Sequence, residues 1–251
     1  MQLNYNKTGQ GPAVFLIHGL FGSLSNFGLL HKHLQTDHTV VSVDVRNHGE
    51  SPHCDSMSYA EMANDIIQLA ARLGFKRFSL VGHSMGGKIA MATAMQAPQY
   101  IDKLIIADMA PVTYPSRHQG VFTALNKVPV PGINSRNEAN MILAQGIEEV
   151  GVQQFLLKSL YRSEAGFQWR FNLHGLMQQY DIISQWPFSD ESYQGPTLFI
   201  KGERSDYLIT EYTDTVIRQF PNARMKIINN TGHWLHAEKP AIFNKLVSDF
   251  L

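Results

Sequence analysis

The sequence predicts an α/β fold in which a mostly parallel central sheet carries helices on both faces and a helical cap is inserted partway along the chain. Three observations carry this prediction. Short apolar runs alternate with helical periodicities over residues 1–111, the same alternation resumes over 194–251, and the interval 112–193 is helical and punctuated by prolines. Strands covered on both faces read as continuous apolar runs rather than as alternations of apolar and polar residues.

The predicted strands of the first stretch are Ala13–Ile17, Thr39–Asp44, Phe78–Gly82 and Lys103–Ala107. Between them, Tyr59, Met62, Ile66, Leu69, Ala70 and Leu73 recur at three- and four-residue steps, the stripe of a helix over Ser58–Leu73 that covers one sheet face. Gly74 ends that helix as a glycine beyond the C-cap does. Ile89, Ala90, Thr93, Ala94 and Ala97 repeat the spacing after Ser84 until Pro98, giving a crossover helix of small residues suited to close packing. In the interval, helical patterns cover Asn137–Gly146, Val150–Tyr161 and Trp169–Tyr180, with Pro115, Pro129, Pro131 and Pro187 among and around them. The rhythm then returns as strand Thr197–Gly202, helix Thr210–Phe220, strand Met225–Ile228 and helix Pro240–Leu251. One core needs strands from both sides of the interval. Residues 1–111 and 194–251 are therefore expected to form that core, with 112–193 as a lid-like insertion in a single domain, in preference to two independent domains.

Composition narrows the function classes. A chain of 251 residues with 44% hydrophobic and 17% charged residues is an ordinary globular protein, not a disordered, collagen-like or coiled-coil one. Lys+Arg and Asp+Glu both number 21, and no stretch concentrates basic residues, so neither nucleic acid nor an anionic membrane is an expected partner. Cys54, the only cysteine, rules out an intramolecular disulfide and fits a reducing compartment, with the cytoplasm as the expected location. The polar start Met1–Gln10 and the lack of an apolar run of about 18 residues predict neither a signal peptide nor a membrane span. Oligomeric state leaves no trace at this level.

The strongest local feature is Gly82-His83-Ser84-Met85-Gly86, a G-x-S-x-G string between a strand and a helix. The bare string arises by chance in roughly one protein in ten of this length, given average glycine usage. Its strand-turn-helix setting is the informative part, because a nucleophile elbow needs small residues two places before and after the serine. A serine hydroxyl needs a base within hydrogen-bond reach, itself oriented by a third group. Among eleven histidines, His233 stands between the last predicted strand and the terminal helix, at the end where α/β strands deliver active-site groups. His236 reads as structural or superficial, and His31, His33 and His38 as solvated. No metal is expected: His31-Lys32-His33 and His53-Cys54-Asp55 lack further ligands at zinc-like spacing.

Two aspartates qualify as the orienting acid, and both give the chain order Ser, Asp, His. Asp108 ends one strand and Asp206 follows another; the bland role of either is a turn or helix cap. The oxyanion of acyl transfer needs preorganised N–H donors. The backbone amides of Met85, at the start of the crossover helix, and of Leu20, in the glycine-bearing loop after Ala13–Ile17, are the expected pair. Phosphate binding by that loop is disfavoured, since no Walker or dinucleotide glycine pattern follows the strand.

With His18-Gly19, Gly82–Gly86 and Gly232-His233 in this order, the chain resembles the α/β-hydrolase superfamily over nearly its whole length. Asp44-Val-Arg-Asn-His-Gly-Glu-Ser-Pro52, the string through Gly87, Trp169-Arg-Phe-Asn-Leu173 and Gly232-His-Trp-Leu-His-Ala-Glu-Lys-Pro240 resemble bacterial esterases of the YbfF type. The resemblance implies an α/β-hydrolase fold and hydrolysis of short-chain carboxylic esters, with acyl-CoA thioesters a further substrate of relatives and no cofactor. It assigns Ser84 as nucleophile and His233 as base, and favours Asp108 as acid. Many superfamily members carry the acid three residues after the strand-ending glycine; here that position is Ser205, and Asp206 lies one residue beyond it. Asn26, Arg46, Asn47 and His48 are expected to organise loops. Part of the apolar set Phe122, Leu125, Phe155, Leu156, Leu160, Phe167, Trp169, Phe171 and Leu173 is available to line an acyl pocket, with plain core as the default. Arg170 and Lys158 read as surface cations, with an anionic head group such as a CoA phosphate as the alternative partner. The competing readings are another serine-dependent chemistry of this fold, carbon-carbon cleavage or a lyase step, and a ligand receptor that turns over slowly.

Overall fold

A computed structural model describes residues 1–251. Nine strands run in chain order as β1 (Tyr5–Thr8), β2 (Ala13–Ile17), β3 (Thr39–Val43), β4 (Phe78–His83), β5 (Ile101–Ala107), β6 (Leu160–Ser163), β7 (Gly166–Trp169), β8 (Thr197–Gly202) and β9 (Ala223–Ile228). Seven of them form one sheet in the order β1-β3-β2-β4-β5-β8-β9, and β6 and β7 pair separately. Every neighbour in the large sheet is parallel except β1, which lies antiparallel to β3.

Alternate residues of the central strands feed two layers of core. Phe15, Ile17, Val41, Leu80, Leu104, Ile106 and Phe199 pack with Met62, Ile66 and Leu69 of α2 (Tyr59–Arg72) and with Ile89 and Ala90 of α3 (Met85–Gln96). On the other face, Val14, Leu16, Val40, Val81, Ile105 and Ile200 meet Leu30 and Leu34 of α1 (Gly28–Leu34) and Phe243 and Val247 of α11 (Pro240–Phe250). The Ser58 hydroxyl caps α2 by accepting from the amide of Glu61, and Gly74 takes φ +80° just past its end.

Strand order reverses between β2 and β4: the chain leaves β2 toward β3, then returns to place β4 on the other side. Loops that leave β2 and β4 at their carboxyl ends therefore diverge and open a crevice. Helices α4 (Gln119–Lys127), α5 (Arg136–Leu143), α6 (Val150–Lys158), α7 (Leu173–Gln178) and α8 (Tyr180–Ser184) all lie between β5 and β8 in sequence. After β8 come α9 (Thr213–Gln219) and α10 (Leu235–Glu238).

Three elements differ from the sequence expectation. The segment Tyr5-Asn-Lys-Thr8 forms an edge strand that carries no apolar run because three of its four residues are exposed. Helix α1 places His31 inward, with Nδ1 against Ser42 Oγ and Nε2 against Thr8 Oγ1, both at 2.7 Å, so this histidine is not solvated. The helical patterns Val150–Tyr161 and Trp169–Tyr180 overrun a β6–β7 hairpin, whose antiparallel register pairs Leu160 with Trp169. Leu160, Phe167 and Trp169 are buried there at alternate positions, a period that two four-residue strands are too short to display.

Candidate active site

Ser84 sits between β4 and α3 with φ 55° and ψ −123°, a left-handed conformation that a non-glycine residue holds at a cost of order 1–3 kcal/mol. Its neighbours make that turn possible. A Cβ on Gly82 would stand 2.1 Å from the carbonyl oxygen of Gly86, and one on Gly86 would stand 2.1 Å from that of Ile17. The Ser84 amide donates to Ala107 O at 3.1 Å, and its carbonyl accepts from Gly87 N at 2.8 Å, so the turn is tied to both β5 and α3.

Asp108 follows β5, also with positive φ (53°), and is fully buried. Its amide donates to Ile200 O at 2.8 Å. Its Oδ1 accepts from Gly202 N at 3.0 Å, and its Oδ2 accepts from the hydroxyl of Ser205 and from His233 Nδ1 at 2.7 Å. A carboxylate accepts only, so Nδ1 carries a proton; in the uncharged form of such a ring Nε2 is the acceptor. The Tyr207 ring stacks on this imidazole, with centroids 4.0 Å apart and planes inclined by 22°. His83, the second residue of the elbow string, holds the same loop from below by donating Nε2–H to the His233 carbonyl at 2.8 Å. Burial drives the His83 pKa well below the ordinary histidine value and keeps it neutral in that role.

Asp206 is not joined to His233. Its carboxylate is 73% exposed and pairs with Arg117 at 2.8 Å. Arg117 in turn lies over the rings of Tyr207 and Tyr114, at 4.8 and 5.2 Å from their centroids.

The loop after β2 is fixed by two buried histidines. His18 donates Nδ1–H to Gly19 O at 2.8 Å and accepts from Val45 N at 3.1 Å; His48 donates to Arg46 O at 3.0 Å and accepts from Phe21 N at 3.1 Å. Desolvation lowers the pKa of both, that of His48 to about 3, so each remains neutral with its two nitrogens in opposite roles. Asn26, Arg46 and Asn47 act similarly. Asn26 Oδ1 accepts from Ser23 N, Arg46 pairs with Asp65 at 2.7 Å, and Asn47 bonds both the amide and carbonyl of Cys54. Leu20 lies in the loop so fixed, and its amide donates to no group of the protein. Met85 opens α3, where the first amides have no intrahelical acceptor.

Ser84, His233, Leu20, Arg117, His118, Tyr207 and Trp234 line one cavity of about 520 Å³. A second, of about 40 Å³, shares Leu20, Ser84, Arg117, His118 and Tyr207 with it and adds Met85, Lys88, Tyr59, Tyr114 and Ile183. The two cavities thus meet at Ser84. No hydrogen bond joins Ser84 to His233, and the two side chains come together as neighbours in the wall of the larger cavity. Of the apolar residues expected to line a pocket, Phe155 and Leu156 do so; Phe122, Leu125, Leu160, Phe167, Trp169 and Phe171 are buried core and line neither cavity, and Leu173 packs against that core. Arg170 pairs with Glu50 at 3.2 Å, and neither it nor Lys158 lines either of these two cavities, whereas Arg117 lines both. The sequence reading passed over Arg117, His118 and Tyr207, which stand in loops without periodicity or motif.

Comparison with known proteins follows the same lines. Residues 12–126 match the family described as alpha/beta hydrolase fold. The chain is 41% identical to esterase YbfF of Escherichia coli (strain K12), over 100% of this chain and 96% of that protein. It is 42% identical to the sn-1-specific diacylglycerol lipase ABHD11 of Mus musculus, over 96% of this chain and 81% of that one. A solved structure described as a marine microorganism esterase superposes with a TM-score of 0.96 at 34% identity, covering 100% of this chain and 99% of the other. The parallel sheet with its crevice, the strained serine elbow and these relatives agree: the chain belongs to the α/β-hydrolase fold family and is a hydrolase.

Proposed function

We propose that this hydrolase is a serine esterase for short-chain carboxylic esters, with acyl thioesters such as acyl-CoA as a second substrate type. Ser84 is the nucleophile, His233 the base and Asp108 the acid. The observation that carries the reading is the 2.7 Å bond from His233 Nδ1 to the buried Asp108 carboxylate, in a histidine that shares a cavity wall with Ser84.

In the first half-reaction Ser84 Oγ attacks the carbonyl carbon while its proton passes to His233 Nε2. The amides of Leu20 and Met85 receive the developing oxyanion, each such donor contributing about 3–4 kcal/mol to the transition state. His233 then protonates the departing alcohol or thiol, leaving an acyl-enzyme. Water attacks that ester, again giving its proton to His233, and the carboxylic acid leaves as Ser84 regains its hydrogen. Asp108 stays ionised throughout, orienting the imidazole and stabilising its protonated form.

The 40 Å³ cavity beside Ser84, lined by Met85, Tyr59, Tyr114 and Ile183, supports a small acyl group, and the 520 Å³ cavity supports the alcohol or thiol side. Residues 112–193 serve as the cap over both, and the single Cys54 fits action in the cytoplasm.

Fluorophosphonate labelling read by intact mass and peptide mapping tests the assignment, alongside turnover of nitrophenyl esters of increasing acyl length and of a matched thioester. Labelling at Ser84, loss of both labelling and turnover in Ser84→Ala, and rates that fall beyond a few acyl carbons are expected. Wild-type hydrolysis by Ser84→Ala would overturn the nucleophile, and rates climbing steadily past medium chain length would overturn the acyl preference. A single acylation without repeated cycles would overturn the reading of these esters and thioesters as its substrates.

A further inference from the structure

His118, at the start of α4, is held by a hydrogen-bond arrangement that fixes its tautomer. The Tyr180 oxygen accepts from two backbone amides, Arg117 N at 3.1 Å and His118 N at 3.2 Å. Those donors occupy the lone pairs of the phenol oxygen, which has one proton left to give. His118 Nδ1 lies 2.6 Å away and is where that proton goes. Nδ1 is therefore the acceptor of this ring, and the imidazole hydrogen sits on Nε2. Nε2 has no hydrogen-bond partner in the protein, yet it is not among the buried polar atoms left without one.

The ring also lines both cavities beside Ser84. It is one of only five residues, with Leu20, Ser84, Arg117 and Tyr207, that line both cavities and so surround the point where they meet. Phe21, in the loop after β2, packs edge-on against it at 6.2 Å, and Tyr180 packs edge-on at 5.5 Å. Burial, with His233 and Arg117 nearby, lowers the pKa of His118 to about 4, so it is neutral around pH 7.

We infer that His118 is a substrate-binding residue of this site, presenting Nε2–H as a fixed, uncharged donor to an oxygen of the ester group bound at Ser84. The inference rests on the proposed role of Ser84. Two oxygens share the required chemistry, the carbonyl oxygen and the alkoxy oxygen of the leaving group, and sulfur in place of the alkoxy oxygen is a poor acceptor.

The test compares wild type, His118→Phe and His118→Gln on nitrophenyl acetate and on the thioester with the same acyl and aryl groups. His118→Phe is expected to lower kcat/KM for the oxygen ester about tenfold, the scale of one lost hydrogen bond. His118→Gln, which keeps an N–H donor, is expected to recover a substantial part without changing the shape of the pH profile. Loss on both substrates assigns the carbonyl oxygen; loss on the oxygen ester alone assigns the alkoxy oxygen. Rates of His118→Phe within twofold of wild type on both substrates, or a glutamine variant no better than phenylalanine, would overturn the inference. Nitrogen NMR of the wild-type ring gives a readout independent of activity and of the variants' folding: a proton on Nε2 is expected, and a proton on Nδ1 would overturn it. Fluorophosphonate labelling of wild type separates the two ideas, since an unlabelled Ser84 means that the nucleophile assignment has failed, not the His118 one.

Discussion

The Ser205 hydroxyl donates to Asp108 Oδ2, the oxygen that also accepts from His233 Nδ1. Ser205 follows β8, whereas Asp108 follows its neighbour β5, so the carboxylate reaches the loop after the adjacent strand. Removing that hydroxyl leaves Asp108 with its His233 and Gly202 partners but one donor short. Ser205→Ala is therefore expected to lower kcat about three- to tenfold with KM little changed, the effect of one hydrogen bond to a charged group. A kcat equal to wild type would show that the hydroxyl contributes only to packing.

The two aspartates separate cleanly in the same assay. Asp108→Asn removes the acceptor that holds His233 in its Nδ1–H tautomer, and a loss of roughly 10³–10⁴ in kcat is expected if Asp108 is the acid of the proposed triad. Asp206→Asn breaks an exposed pair with Arg117, and a change of less than about threefold is expected because exposed pairs contribute little. The reverse ranking would move the acid to Asp206.

Much of this arrangement was legible beforehand, and the reason is local chemistry. Ser84, Asp108 and His233 each end a strand or stand in the loop after one, and buried parallel strands announce themselves as apolar runs. Arg117, His118 and Tyr207 were not legible, since their places in the cavity walls come from segments distant in sequence. The polar strand β1 was hidden because an exposed edge needs no apolar residues, and the β6–β7 hairpin because its short apolar alternation merges with the helical patterns on either side.

The elbow itself is a backbone-packing problem. Because a Cβ at Gly82 or Gly86 would meet a carbonyl oxygen at 2.1 Å, Gly82→Ala and Gly86→Ala are each expected to cost more than about 4 kcal/mol or to prevent folding. Gly120 in α4 has open space around it, and Gly120→Ala is expected to be neutral or to stabilise by about 0.5–1 kcal/mol. Urea denaturation of the three variants checks both halves, and a folded, wild-type-like Gly86→Ala would contradict the packing argument.

Acid should weaken the fold through its buried histidines. His48 takes a proton near pH 3 in the folded state and near 6.5 in the unfolded chain. Between those values the unfolded chain holds more protons, so the contribution of His48 to stability is full above about pH 6.5 and falls as pH drops toward 3. In His48→Gln, the slope of unfolding free energy against pH between 4 and 6 is expected to decrease by about one proton relative to wild type. Equal slopes would mean that His48 is protonated in the folded protein.

Lys88 gives the opposite end of the pH scale its own signature. It lies inside α3 at 1% exposure with no carboxylate partner, donating to the carbonyls of Ser184 and Gln185, each at 2.9 Å, beneath the rings of Tyr59 and Tyr114. Desolvation lowers its pKa from 10.5 to about 7, because burial penalises the ammonium. A neutral amine still has two N–H bonds, enough for both carbonyls, so losing the proton removes a buried charge without breaking the tie to the end of α8. The unfolded chain binds one proton more from pH 7 upward, and stability is expected to rise with pH between about 7 and 9. Lys88→Met should abolish that rise while leaving the acid limb unchanged, as read from urea midpoints at pH 7, 8 and 9. A parallel rise in the methionine variant would place the alkaline dependence on another group and make Lys88 a permanently charged donor.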